Sequence, residues 1–386
     1  MRLSPLLASI TLTIATAVIG CSSPFSSSTA SHAVAAVTTH NYTGTASVGD
    51  FITMTFDTSA HTFSYVNHTN GLSGAGTFTV NVDGSYAMTD SSSCFTDAYE
   101  VPGFALVLRG TRTGPTQDTV SLVTALQSQV NTVAGVSNQN FNYMQFRTNS
   151  GGVEVGFVGM GPAAQVTHAS YWPYGATQLV PDAFHPADTF PGSPVEDTAT
   201  GALKLTIIDS GVSVDNFIFA TTSGLLAVDT GNGSLVCFHQ AATNAFVPAV
   251  AGTYRALAFA KNGVTTGSGN TETPAVGTVA KLSISLDASG LISVTDAGST
   301  VLASGTIAPF DSTLTTGIGN ACPGMFHLTI PRIAADGVTA VNQELFLTFV
   351  GDALMFSSFQ PDPSVSDMRS YDYFYGVALK QNASNG

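Results

Sequence analysis

Residues 52–59, ITMTFDTS, return later in the chain as 282–289, LSISLDAS. In both, apolar side chains (Ile52, Met54, Phe56; Leu282, Ile284, Leu286) alternate with hydroxyl side chains (Thr53, Thr55; Ser283, Ser285). A period of two puts one set on each face of a β-strand, so one face is buried and the other meets solvent. The same rule runs through Phe78-Val80-Val82, Phe104-Leu106-Leu108, Leu203-Leu205-Ile207, Phe326-Leu328-Ile330 and Leu345-Leu347-Phe349. Asp83-Gly84, Ser289-Gly290 and Asp336-Gly337 supply turns between such runs. Short strands at this spacing predict an all-β chain of antiparallel meanders or barrels.

The repetition extends beyond the first pair. Gly76-Thr77-Phe78 aligns with Gly305-Thr306-Ile307, Cys94 with Cys322, and Pro102-Gly103 with Pro323-Gly324. SYWPYG at 170–175 aligns with SYDYFYG at 370–376. The offset falls along the chain, which requires an insertion in the first copy. Leu122, Leu126, Val130 and Val133, spaced i, i+4, i+8, i+11, predict one amphipathic helix within 111–140. The expected organisation is therefore two related β lobes, 40–180 and 251–380. Between them, 181–250 is a Pro-rich linker with connecting strands that either complete the first lobe or bridge the two.

The first forty residues read differently. Arg2 precedes an apolar run, Leu6–Ile19, that is too short to cross a bilayer and suits the h-region of a signal peptide. It ends in Val18-Ile19-Gly20-Cys21, which resembles the lipobox of bacterial lipoproteins. The chain as a whole resembles envelope lipoproteins of families whose function is unknown. The resemblance implies a signal peptide at 1–20, lipidation (palmitate among the acyl chains) of Cys21, and a lipid-anchored protein of the bacterial cell envelope. The outer membrane, on its periplasmic or surface face, is the expected location. Residues 21–39, rich in Ser, Ala and Thr, read as a flexible tether.

Composition narrows the function. The net charge is −14 at pH 7, only 11 residues are Lys or Arg, and these form no cluster. Such a surface repels phosphate backbones, so nucleic acid is not an expected partner. Membrane attachment falls to acyl chains rather than to basic side chains.

Ile207-Ile208-Asp209-Ser210-Gly211 and Ala227-Val228-Asp229-Thr230-Gly231 resemble the paired motifs of aspartic proteases. That resemblance implies two aspartates sharing one proton. The family carries one motif in each lobe, whereas these two lie close together in one segment. Asp-small-Gly turns recur throughout, so the motifs read as hairpin turns. Neither a Gly-x-Ser-x-Gly elbow nor an EF-hand run occurs. Asp182, His185 and Asp188 fall in a Pro-rich loop without a regular face, and read as solvated rather than as metal ligands. No catalytic residue, metal site or cofactor is assigned.

Export to an oxidising compartment favours one disulfide among Cys94, Cys237 and Cys322, with the pairing open. The candidate ligand contacts are Tyr171, Trp172, Tyr174, Tyr371, Tyr373 and Tyr375, whose flat rings with polar edges suit stacking. The expected role is non-enzymatic, either structural or binding a small molecule, a glycan or an envelope protein. A hydrolase of envelope or extracellular polymers, with an acidic catalytic pair, is the alternative.

Overall fold

A computed structural model describes residues 38–112, 119–127, 129–146, 154–174, 178–181, 188–189, 192–209, 211–261, 277–310, 322–333, 338, 340–361 and 371–381. The period-two runs become antiparallel strands, and the strands roll into three consecutive meanders.

The first meander is a closed barrel of β1 (Thr39–Ala46), β2 (Asp50–Asp57), β3 (Thr62–Asn67), β4 (Ser73–Val80), β5 (Tyr86–Asp90), β6 (Phe95–Val101), β7 (Ala105–Arg112) and β8 (Thr119–Leu126). Closure pairs β1 with β8, from Thr43 opposite Leu126 to Ala46 opposite Val123. Ile52, Met54 and Phe56 turn into the barrel with Tyr42, Phe63 and Phe78.

The middle meander comprises β9 (Gln139–Phe146), β10 (Val155–Met160), β11 (Val166–Tyr174), β12 (Gln178–Pro181), β13 (Asp188–Thr189), β14 (Val195–Asp197), β15 (Ala202–Asp209), β16 (Val212–Ala220), β17 (Leu225–Asp229) and β18 (Ser234–His239). Its first and last strands, β9 and β18, again lie side by side.

The last meander runs through β19 (Gly252–Lys261), β20 (Thr278–Leu286), β21 (Leu291–Asp296), β22 (Val301–Thr306), β23 (Ala308–Pro309), β24 (Met325–Ile333), β25 (Ala340–Val350), β26 (Ala353–Pro361) and β27 (Tyr371–Lys380). Here β19 pairs with β27. The free edges of this sheet, β22 and β23, are joined through Ile307 alone. β22 pairs with β21 and β23 with β24, so one bent strand bridges the two edges. Arg332 Nη2 on β24 adds a hydrogen bond to Leu302 O on β22. Tyr254, Ile284, Val294, Phe326, Leu347 and Phe356 fill the interior.

The predicted repeat is present. Residues 52–56 and 282–286 both occupy the second strand of a rolled sheet, next to the strand that closes it. The boundary expected at 180 is replaced, because the segment after it joins β9–β12 in one sheet spanning 139–239. The aromatic segments are not equivalent: 170–174 lies in β11 of the middle sheet, and 371–376 in the closing strand β27. The helix expected within 111–140 is one turn, α1 (Val133–Val136), capped by Thr132 Oγ1 accepting from Gly135 N at 3.0 Å. Leu122 and Leu126 lie in β8 instead. A spacing of four fits one face of a strand as well as of a helix, and the inward-facing Val123 and Ala125 identify the strand.

A central core joins the three sheets. Strands near each closure are apolar on both faces. On β7, Leu106 points into the barrel and Val107 out of it. On β17, Leu226 faces one way and Ala227 the other, and on β26 the same holds for Phe356 and Met355. The outward set forms one cluster with Phe146, Phe219, Phe259 and Tyr375. Burial on both faces explains the continuous apolar runs of these strands. Polar ties flank it: Lys281 Nζ lies 3.1 Å from Asp97 Oδ1, and Asn142 Nδ2 donates to Pro323 O at 2.8 Å.

Candidate functional site

Among the described residues one end of the first barrel is open and holds a cavity of about 440 Å³. Four strand pairs supply its rim: Ala46 and Asp50 from β1–β2, Asn67 and Ser73 from β3–β4, Ser92 and Cys94 before β6, and Thr111 and Ser121 from β7–β8. Tyr65 and Phe95 form an aromatic corner, their ring centroids 4.8 Å apart and their planes at 81°. Ile52, Leu72 and Val123 add apolar wall.

Local hydrogen bonds hold this rim in shape. Asp90 accepts from the backbone N–H groups of Ser92 (2.6 Å), Cys94 (3.1 Å) and Phe95 (3.1 Å), which fixes the β5–β6 loop at the rim. Asn67 Oδ1 accepts from Thr69 N at 3.0 Å and Asn70 N at 3.3 Å, capping the β3–β4 turn. Its Nδ2 donates to Asp50 Oδ2 at 2.9 Å. Burial raises the Tyr65 hydroxyl above the usual tyrosine range, so it remains a neutral donor.

Past the aromatic corner the barrel is packed. Phe78 and Tyr86 stack at 4.6 Å, and Phe56 lies against Phe63, Phe78 and Tyr86. The other end is plugged by Glu100, whose carboxylate accepts from Tyr42 and Tyr86 and lies 2.6 Å from His40 Nδ1. Burial, followed by the Glu100 charge, holds both tyrosine hydroxyls far above their ordinary values. This arrangement satisfies a buried carboxylate and seals one end of the barrel.

The β1–β2 turn packs at Gly49 against Gly231 of the middle sheet, which brings a second buried carboxylate within electrostatic range of Asp50. Asp229, from the second Asp-Thr/Ser-Gly motif, is 4% exposed, as is Asp50. Burial, and then the charge on Asp50, push its carboxyl up to about 6, against the bond from Gly231 N (2.9 Å). On β16 the backbone partner of Asp209 is Val212, whereas that of Asp229 is Phe217. Five residues of strand put roughly 16 Å between the two backbone positions, and the side chain of Asp209 lies outside the described residues.

The predicted aromatic site is dispersed. Tyr171 is buried in the central core, edge-on to Phe310 at 5.7 Å. Tyr375 is buried between Phe146 (4.4 Å) and Phe259 (5.1 Å). Neither ring offers a face to a ligand. The backbones of Trp172 and Tyr174 belong to β11, and those of Tyr371 and Tyr373 to β27; their side chains lie outside the described residues. The expected disulfide is replaced by three free thiols in three places: Cys94 at the cavity, Cys237 inside the middle sheet and Cys322 in the central core. Burial raises the thiols of Cys237 and Cys322 well above the usual range. Cys21, Asp182 and His185 lie outside the described residues; Asp188 pairs with the His168 backbone in β13–β11.

Sequence reading missed the barrel mouth and a set of inward tyrosines. Tyr42, Tyr143 and Tyr254 each sit in the first strand of a sheet, fully buried. Tyr42 donates to Glu100, Tyr143 to Glu154 (2.6 Å), and Tyr254 to Val250 O (2.5 Å). His168 stacks on Tyr143 at 5.1 Å, with Nε2 2.6 Å from its hydroxyl. The recurrence of Asn-Tyr at 41–42 and 142–143 was the available signal.

No protein-family model and no curated protein matches this chain. Similar solved structures include the vaccine antigen transferrin binding protein B of Haemophilus parasuis, as a double mutant (11% identity, TM-score 0.25, 89% of this chain, 76% of that one) and as a single mutant (10%, 0.24, 86% and 66%). A third is AofleA from Arthrobotrys oligospora (11%, 0.15, 90% of each chain). Superposition at these scores is too loose to carry a functional argument, and the architecture above rests on the strand pairing itself. Among the described residues no helix is long and apolar enough to cross a membrane.

Proposed function

We propose that this chain is a bacterial envelope lipoprotein, anchored through Cys21, whose first barrel binds a small ligand at its open end without transforming it. The observation that carries the reading is the cavity of about 440 Å³ in the barrel mouth. That volume lies within the range of small-molecule sites, and an eight-stranded barrel is just wide enough to hold one small ligand. The lining combines an aromatic corner with hydroxyl and amide groups, the mixture that orients a ligand while burying its apolar part. Among the described lining residues the carboxylate is that of Asp50, whose Oδ2 accepts from Asn67 Nδ2.

Two measurements test the reading. Ser73→Trp places an indole on the exposed rim of the mouth and should abolish ligand-induced thermal stabilisation without changing the melting temperature of the free protein. Stabilisation that survives the blockade would place the ligand elsewhere. Cys21→Ser should move the protein from the membrane fraction to the soluble fraction, since acyl chains supply about 0.8 kcal/mol per buried CH₂. Unchanged sedimentation with membranes would remove the anchor.

A further inference from the structure

We propose that Asn232 is a self-modification site, whose side-chain amide cyclises onto Gly233 and becomes aspartate or isoaspartate. The sequence holds Asn-Gly pairs at 70–71, 232–233, 262–263 and 385–386, and the first two lie in described turns. Glycine after asparagine carries no Cβ to hinder its nitrogen as it approaches the side-chain carbonyl. In the step, the Gly233 nitrogen attacks Asn232 Cγ and gives up its proton. The N–Cγ bond forms, the Cγ–Nδ2 bond breaks, and ammonia leaves with that proton. Water then opens the cyclic imide at either carbonyl, giving aspartate or isoaspartate with no change of oxidation state.

The two described turns differ at the attacking atom. Asn70 and Asn232 are both exposed, so water reaches either. Both side-chain carbonyls also accept a hydrogen bond, which stabilises negative charge on the oxygen as the nitrogen adds. Asn70 Oδ1 accepts from Leu72 N at 3.0 Å. Thr230 Oγ1 directs its proton either to Asn232 Oδ1 (3.2 Å) or to Gly233 O (3.1 Å). The nitrogens are not alike. Gly71 N donates to Asn67 O at 2.9 Å, a bond that must break before the attack. Among the described residues the Gly233 N–H has no hydrogen-bond acceptor. Thr230 N meanwhile donates to Gly233 O at 3.1 Å and holds the turn closed around the reacting pair. The product falls at a seam: a Cβ on Gly49 would lie 2.6 Å from Asn232 N. Isoaspartate lengthens that crowded backbone by one carbon, and either product adds a like charge to the turn that holds Asp229.

The test incubates the purified full chain at neutral pH and digests samples at intervals, with aspartate and isoaspartate resolved by peptide mass spectrometry. Position 232 should convert about ten-fold faster than position 70, on the order of the one hydrogen bond that separates them. In denaturing urea Gly71 N loses its acceptor, and the two rates should converge. Gly233→Ala should slow conversion at 232 and leave that at 70 unchanged. Aged wild-type protein should melt below fresh protein, whereas aged Gly233→Ala should not. The comparison of 232 with 70 in the wild type needs no variant to fold. Equal rates in the folded chain, or a difference that persists in urea, overturns the proposal. Aged wild-type protein that melts with the fresh sample despite conversion at 232 overturns the consequence at the seam.

Discussion

Asp229 shows how a residue's setting reverses an expectation drawn from its motif. As a turn residue, replacement by Asn should cost a little stability. In the structure burial, aided by the charge on Asp50, pushes the carboxyl up to about 6, above the usual carboxylate range. A raised carboxyl pKa means that folding disfavours the charged form. The cost is fully present above pH 6, is relieved as pH falls through 6, and is gone below the unfolded value near 4. Asp229→Asn keeps an acceptor for Gly231 N–H and removes the charge. It should therefore raise stability at pH 7 by roughly 1–3 kcal/mol and flatten the gain on acidification between about pH 6 and 4. Urea titrations at pH 7.5 and 4.5 decide it, and a less stable variant at pH 7.5 would refute it. The turn itself was legible in Asp229-Thr230-Gly231. Asp50 was not, because only tertiary packing brings the β1–β2 turn against the β17–β18 turn.

At the scale of elements, closure of the rolled sheets sets tight backbone constraints. Gly44 on β1 faces Ala125 on β8, and a Cβ there would lie 2.0 Å from Thr124 O and 2.4 Å from Ala125 Cα. Gly376 on β27 repeats the arrangement against β19, 2.4 Å from Leu257 O. Both are backbone approaches, which no rotamer change relieves. Gly44→Ala should cost about 3 kcal/mol or more, at the top of the range for overpacking. Gly71→Ala is the control: its φ is +74° but nothing lies within 4 Å, so only the left-handed conformation is penalised, by about 1–2 kcal/mol. Equal losses in chemical denaturation would contradict the closure argument. Half-exposed strands such as β2 and β20 were plain in their alternation. Strands buried on both faces, such as β8, carry less of that signal, which is why Leu122 and Leu126 read as a helix.

For the whole molecule, the sequence repeat located the two flanking sheets through β2 and β20. The middle sheet was hidden because its strands come from both sides of a Pro-rich stretch that resembles a domain boundary. Its interior tyrosine is one residue in a pattern too sparse to align. The shared core has an energetic consequence. Tyr375 is stacked between Phe146 of the middle sheet and Phe259 of the last. Tyr375→Ala should cost about 3–5 kcal/mol, as large-to-small aromatic changes do. Calorimetry should still show one transition at a lower temperature, because the sheets share that core. Separate transitions for the flanking sheets would show that they are energetically independent.

The side-by-side placement of first and last strands also dictates an order of events as the chain folds. Thr43 meets Leu126, and Tyr254 meets Lys380 only when the final strand arrives. Pairings so distant in sequence carry a large loop-closure entropy before any contact repays it, which makes such topologies slow. The first barrel can seal once residue 126 is available. The central core waits for Val377 and Leu379 at the far end of the chain. Until then the outward apolar faces of β7, β8, β17 and β18 stand open to water and to one another in neighbouring chains. The interval before β27 docks is thus the one in which this protein is most exposed to aggregation.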